Sequence, residues 1–160
     1  MRETYLAVAG RIRRELKELG RVVERTENIW QQAKTTADDY YVDATALNLH
    51  SFYAGLEHVF EIIADGVDQV KPSGANWHQE LLGQMAAEIP SVRPAVLSAD
   101  TLNRLDRYRG FRHVVRNVYT FHLDPEQIEV LVRQLPPVAA QVEQELYTFA
   151  RFLEHTTSSN

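Results

Sequence analysis

The sequence contains no cysteine among its 160 residues. That absence excludes a disulfide scaffold, a zinc–thiolate site and a cysteine nucleophile. No apolar run approaches the ~20 residues that a membrane-spanning helix needs, and the first residues lack the apolar core of a signal peptide. We therefore expect a cytoplasmic protein with no membrane attachment.

Several familiar catalytic motifs are also missing. None of the six histidines has an acidic residue three positions before it, which excludes the Glu-x-x-His pairs of carboxylate-bridged metal sites. The sequence has no His-Glu-x-x-His motif, no glycine-rich phosphate loop and no Gly-x-Ser-x-Gly motif. We predict no metal and no cofactor, and we interpret Glu57, His58 and Glu61 as part of a solvated helix face.

The chain does have the composition of one globular domain. Its hydrophobic content of 44% and charged content of 24% are ordinary, and its length fits a single domain. The net charge of −5 argues against a general nucleic-acid coat protein. We predict one domain over residues 1–155, followed by a disordered tail at 156–160.

Helical periodicity runs through the chain, without the alternation typical of strands. In the first segment, Tyr5, Ile12 and Leu19 are seven residues apart and lie on one apolar seam. The last predicted helix is expected to kink or break at Pro136–Pro137. Five amphipathic helices predict an all-α, up-and-down bundle. The predicted helices lie near 2–29, 37–65, 76–88, 99–121 and 124–154.

The fourth predicted helix concentrates arginine. Its residues 104–116 include five arginines and one aspartate, a charge of +4 within a chain of −5. Arg109, Arg112 and Arg116 are three and four residues apart, so they share one helix face. Because guanidinium groups suit bidentate contacts with phosphate, this face indicates an anion site. A row of surface ion pairs is an equally open interpretation.

Two further residues favour a functional site on this helix. Gly110 costs the helix about 1 kcal/mol relative to alanine, which points to a close approach, a kink or a ligand. His122 lies at the predicted helix end, where the helix dipole stabilises its protonated form. On a continuous helix, Arg116 and His122 are separated by roughly 600° of rotation and diverge. They converge only if the helix unwinds around Thr120–Phe121.

The segment RNVYTFH at 116–122 resembles the HEPN motif, in which an arginine and a polar residue precede a histidine after four to six intervening residues. The segments ATALNLHSFYAGLEHVFE, WHQELLGQM and DRYRGFRHVVRN are similar to those of HepT-type HEPN proteins, in the expected order over most of the chain. The resemblance implies an all-α, HEPN-like bundle. It also implies a homodimer that brings two copies of the motif to a shared cleft.

The resemblance further implies a toxin that cleaves RNA as a metal-independent endoribonuclease. Such proteins are usually controlled by a small nucleotidyltransferase antitoxin. In that family the antitoxin can adenylylate a tyrosine two residues after the motif histidine, and here Asp124 occupies that position. We therefore expect control by tight binding of the partner.

The mechanism that follows from this resemblance uses the 2′-hydroxyl of RNA as the nucleophile. His122 transfers a proton, Arg116 holds the scissile phosphate, and Asn117 orients one of these groups. The product is a 2′,3′-cyclic phosphate. Other side chains are expected to hold flanking phosphates or stack on an unpaired base: Arg109, Arg112, Tyr108 and Tyr119.

Two other functions remain open from the sequence. The same dimer can serve only as a module that binds a nucleotidyltransferase or another partner, or it can bind RNA or nucleotides without cleaving them. The alternative for His122 is a histidine that caps a helix or bonds to a partner residue. His50 and Asn48 on the second helix can line the cleft. We interpret Trp77 and His78 as core and loop-bonded side chains, and His113 as packed or bonded locally.

Overall fold

Five α-helices make up most of residues 1–158, the part of the chain that the computed structural model describes. Between these helices, a π-helical turn at Ala64–Asp68 follows α2, and a 3-10 turn at Thr120–His122 precedes α5. Within the same residues there is no strand, so the predicted all-α class is confirmed. The helices are α1 (Arg2–Thr35), α2 (Tyr40–Ile63), α3 (Trp77–Met85), α4 (Ala99–Asn117) and α5 (Pro125–Ser158).

The helices form the predicted up-and-down bundle. Helix α1 packs against α2 and α5, and α2 also contacts α4 and α5. Helix α3 is short and lies against α2 and α4. The predicted seam of α1 is buried at Tyr5, Ile12 and Leu19, and it meets α2 side chains such as Tyr53 and Phe60 in one core. Each large apolar side chain buried there contributes about 1.5–3 kcal/mol.

Helix α4 ends earlier than predicted. Its last residue is Asn117, whereas the sequence predicts an end near residue 121. Val118 leaves the helix with extended backbone angles of φ −124° and ψ 141°, and its N–H donates to the carbonyl of Val114. The helix therefore unwinds between Arg116 and His122, as their convergence requires, but the unwinding begins at Val118 and not at Thr120–Phe121.

Helix α5 is continuous through Pro136 and Pro137, so the predicted break does not occur. A proline inside a helix costs ~3 kcal/mol or more, because it removes a backbone hydrogen bond and crowds the preceding turn. Leu135, Val138 and Val142 near these prolines are at most 3% exposed. Their burial against the bundle core offsets the backbone cost.

The end of α5 also differs from the prediction. The helix continues to Ser158, beyond the predicted end near Glu154. The first part of the tail expected to be disordered is therefore helical. Positions 159–160 of that tail lie outside the described residues.

A buried ion pair fixes the connection between α3 and α4. Arg93 donates from Nε to Asp68 Oδ1 at 2.6 Å and from Nη2 to Oδ2 at 2.8 Å, and both side chains are 0% exposed. Nη1 of Arg93 donates to the carbonyls of Ala87 and Pro94 at 2.8 and 2.9 Å. Gln84 of α3 also donates to Asp68 Oδ2 at 2.8 Å. This network joins the end of the π-helical turn to α3.

Candidate anion-binding site between the third and fourth helices

A cavity of about 460 Å³ opens between the start of α3 and one face of α4. Helix α4 contributes four of the predicted residues, which the structure brings together: Arg109, Arg112, Arg116 and Asn117. The opposite wall comes from the start of α3 and includes Asn76, His78 and Gln79. No acidic side chain belongs to the lining, so the cavity is suited to an anionic ligand.

The three arginines of the cavity differ in their partners. Arg109 donates from Nε to Asp106 Oδ1 at 2.7 Å. The Nη1 atom of Arg112 lies 3.4 Å from a carboxylate oxygen of Glu57. Arg116 is exposed and has no acidic partner within residues 1–158. Arg116 is therefore the guanidinium with charge left for a ligand. Arg109 fits the alternative of surface ion pairs, whereas Arg112 lies beside a buried carboxylate of another helix.

A cluster of Glu57, His78 and Arg112 lies behind the cavity. The Glu57 side chain is only 5% exposed, so its interpretation as part of a solvated face is wrong. Its Oε2 lies 2.8 Å from His78 Nδ1, which is itself 2.7 Å from Arg112 Nη1. Nδ1 can donate to Glu57 or accept from Arg112, but not both. Because these contacts join α2, α3 and α4, Arg112 also serves as an internal tie, and its side chain is 16% exposed.

The imidazole of His50 lies on α2 within the field of the same cluster. Burial lowers its pKa from the ordinary 6.5, and the positive charges of Arg112 and Arg116 lower the pKa further, while Glu57 opposes the shift. His50 is therefore neutral at pH 7. It does not belong to the cavity lining, although the sequence left that role open.

Acidification is expected to destabilise the fold through His50. Its pKa is lower in the folded chain than in the unfolded chain, so the unfolded state binds the proton more readily. Its contribution to stability is complete above the unfolded pKa of ~6.5 and is lost progressively as the pH falls from that value through the lower pKa of the folded chain. We expect His50→Gln to lose less unfolding free energy than wild type between about pH 7.5 and about pH 5.5. Urea titrations at both pH values measure this difference, and equal losses would contradict it.

The C-terminal part of the segment 116–122 forms an exposed group of rings, which we call the aromatic ledge. It consists of Tyr119, Phe121 and His122. The rings of Tyr119 and Phe121 stack at 5.4 Å, and the Phe121 and His122 rings lie 4.5 Å apart. Tyr119 is 73% exposed and Phe121 is 78% exposed, so the ledge is available to stack on a base or to meet another protein. His122 is exposed, lies outside the cavity lining and makes no hydrogen bond to Arg116 within the described chain.

The prediction that Tyr108 stacks on RNA is wrong. Tyr108 is 1% exposed and packs edge-on against Phe52, with ring centroids 5.6 Å apart. Its hydroxyl donates to the carbonyl of Leu131 on α5 at 2.7 Å. Burial raises the pKa of this phenol. The side chain is part of the core because it falls on the buried face of α4, with Leu105 and Phe111.

Tyr108→Phe is expected to lower the unfolding free energy by about 1 kcal/mol, since it removes one buried hydrogen bond and keeps the ring. RNA affinity is expected to stay unchanged. Urea denaturation and an RNA-binding titration test the two statements together. A loss of RNA affinity at unchanged stability would contradict the burial argument.

His113, the histidine of α4, has a local bond, as expected. Asn117 Nδ2 donates to the His113 carbonyl at 2.8 Å and lies 3.2 Å from its Nδ1. His113 is also exposed and lines the cavity, which the sequence did not indicate.

Within residues 1–158, no three acidic or histidine side chains are grouped as a metal site would need. In the same part of the chain, no helix combines the length and apolar character needed to cross a membrane.

Among known protein families, a model described as HepT-like protein matches residues 44–153. That span begins in α2, includes both walls of the cavity and the segment 116–122, and ends near the end of α5. The searches of curated proteins and of solved structures gave no match.

Proposed function

The chain belongs to the HepT-like family, and on this premise we propose that it is a toxin that cleaves single-stranded RNA without a metal ion. The observation that carries the proposal is the motif segment 116–122, whose two functional ends are both exposed to solvent. Arg116 offers an uncompensated guanidinium at the cavity, and His122 follows it beyond the end of α4.

The proposed reaction uses only groups of the RNA and of this chain. The 2′-oxygen bonds to the adjacent phosphorus, and the proton of the 2′-hydroxyl passes to a general base of the protein. The bond from phosphorus to the 5′-oxygen breaks, and that oxygen receives a proton. His122 carries out one of these proton transfers, which typically contributes 10²–10⁴-fold. Arg116 stabilises the charge that develops on the phosphoryl oxygens, and Asn117 orients these groups.

A homodimer supplies what one chain lacks. Arg116 and His122 make no hydrogen bond to each other within the described chain, and a second copy of the motif would place another pair across a shared cleft. The exposed rings of Tyr119 and Phe121 provide apolar surface for this association. The same ledge, with Arg109 beside the cavity, is available to bind the bases and phosphates of RNA next to the cleaved bond.

A cognate nucleotidyltransferase antitoxin is the proposed partner in the cytoplasm. Asp124 occupies the position of the family's modified tyrosine, and its Oδ1 accepts the backbone N–H of Glu126 at 3.0 Å. A carboxylate at the start of α5 stabilises the helix but offers no hydroxyl for adenylylation. Inhibition is therefore proposed to act by tight binding that covers the motif.

Incubation of the free protein with single-stranded RNA in EDTA tests the proposal. We expect fragments that end in a 2′,3′-cyclic phosphate. Loss of cleavage on adding EDTA, or an intact RNA at enzyme excess, would contradict it. In cells, we expect expression to be toxic and His122→Ala to relieve the toxicity.

A second candidate function is a non-catalytic module that binds a partner protein or RNA. It is favoured by the position of His122 outside the cavity lining and by the exposed apolar rings of the ledge. This alternative predicts co-purification with a partner, and RNA that remains full length after it binds.

A further inference from the structure

The α3 wall of the cavity presents two amide side chains with unused hydrogen-bonding groups. Asn76 occupies the N-cap position of α3, yet its side chain makes no capping hydrogen bond. Gln79 lies three residues further on, is exposed and makes no side-chain hydrogen bond within residues 1–158. Residues three apart on a helix are neighbours, so both amides line the cavity together.

The charge of the cavity matches a ligand with one anionic group. Asp106 offsets Arg109 and Glu57 offsets Arg112, which leaves Arg116 as the guanidinium without an acidic partner in the described chain. Three amide side chains also belong to the lining: Asn76, Gln79 and Asn117. The volume of about 460 Å³ falls in the range of sites that enclose a small molecule, and it has room for one nucleotide.

We infer that this cavity is a base-reading subsite for one nucleotide of single-stranded RNA, with a backbone phosphate beside Arg116 and the base edge on Asn76 and Gln79. This inference rests on the proposed function and adds a sequence preference to it. An amide carries a donor and an acceptor side by side, which is the pattern that base edges present. Single-stranded RNA is recognised in this way because its unpaired bases expose their edges.

The α3 wall is held in place before a ligand arrives. His78 of α3 contacts Glu57 of α2 at 2.8 Å, and Gln84 of α3 donates to the buried Asp68 at 2.8 Å. Because their surroundings are fixed, Asn76 and Gln79 can discriminate between bases. A base whose edge does not match the amides leaves polar groups unpaired. Cleavage is therefore expected to prefer positions next to one kind of base.

A binding measurement tests the subsite without cleavage. The His122→Ala chain in EDTA is titrated into fluorescent oligo-A, oligo-C and oligo-U, and anisotropy gives each affinity. We expect the affinities to span about tenfold or more. Adding Asn76→Ala and Gln79→Ala is expected to reduce that span to about twofold while binding persists through the phosphates. Adding Arg116→Ala instead is expected to weaken all three RNAs by a similar factor.

A matched pair of substitutions on α1, Asn28→Ala and Gln31→Ala, removes the same kinds of side chain outside the cavity lining. This pair is expected to preserve the full range of affinities. Circular dichroism confirms that each variant is folded. A preference that survives Asn76→Ala and Gln79→Ala would overturn the subsite and leave the nuclease proposal intact. Equal affinity for mononucleotides and oligonucleotides would assign the cavity to a free nucleotide and also overturn it. No RNA binding by any chain would overturn the proposed function itself.

Discussion

Replacing Arg116 or His122 by alanine is expected to lower the rate of RNA cleavage by about 10²–10⁴-fold. For His122→Ala, the rate falls because the side chain that transfers a proton is removed. For Arg116 it is the loss of charge stabilisation at the phosphoryl oxygens, with a typical effect of 10²–10³-fold. Because both groups act in one step, the double variant is expected to lose little more than the worse single variant. Single-turnover cleavage of a labelled RNA in EDTA measures all three.

Matched controls separate this effect from general loss of charge or fold. Arg107→Ala removes an exposed arginine of α4 that does not line the cavity, and His58→Ala removes an exposed histidine of α2. Both controls are expected to cleave at the wild-type rate, and gel filtration checks that all variants share one oligomeric state. Wild-type rates in both Arg116→Ala and His122→Ala would contradict the assignment.

Asp68→Ala is expected to lower the unfolding free energy by about 3–5 kcal/mol, because it leaves the buried Arg93 without its counter-ion. The bidentate contact with Asp68 supplies two of the hydrogen bonds of a guanidinium that is 0% exposed. Loss of this tie also frees the chain that follows α3, so RNA affinity is expected to fall at temperatures where the bundle is still folded. Urea denaturation measures the stability, and anisotropy measures the affinity.

Asp65→Ala provides the control for this substitution. Asp65 pairs with Lys71 at 3.3 Å, but its side chain is 59% exposed, so its removal is expected to cost less than about 1 kcal/mol. Replacing both buried partners, as Asp68→Leu with Arg93→Met, is expected to be milder than Asp68→Ala alone, since no unpaired charge remains. Similar losses for Asp65→Ala and Asp68→Ala would contradict the ion-pair argument.

The bundle was predictable because its information is periodic. Apolar residues such as Ile12 and Leu19 recur at helical spacing, and this alone places α1 against the core. The shared face of Arg109, Arg112 and Arg116 was predictable for the same reason. Helix ends were less predictable, because α4 stops where Val118 takes extended angles, and nothing local forbids another turn.

Other features depend on contacts between distant segments. Glu57 falls on the buried face of α2, four residues after Tyr53 and three before Phe60, and that spacing was the available signal of its burial. Its partners His78 and Arg112 come from α3 and α4, so only the packed structure brings them together. A similar signal existed for Tyr108, which repeats the spacing of buried residues on α4.

The α3 wall could not be found from motifs. Asparagine at an N-cap position usually caps its helix through the side chain, whereas the side chain of Asn76 makes no capping hydrogen bond in the structure. Whether an amide caps a helix or meets a ligand depends on the loop before it and on the helix opposite. The spacing of residues in the sequence contains no information about the conformation of that loop or the position of that helix.

Cleavage of an RNA that carries one 2′-deoxynucleotide at the mapped cleavage position tests the central claim most directly. The claim is that the substrate supplies the nucleophile while Arg116 and His122 supply charge and proton transfer. With wild-type protein in EDTA, we predict that this RNA resists cleavage at the modified position and is still cut at unmodified ones. Cleavage at the modified position at the rate of the all-ribose RNA would contradict the account.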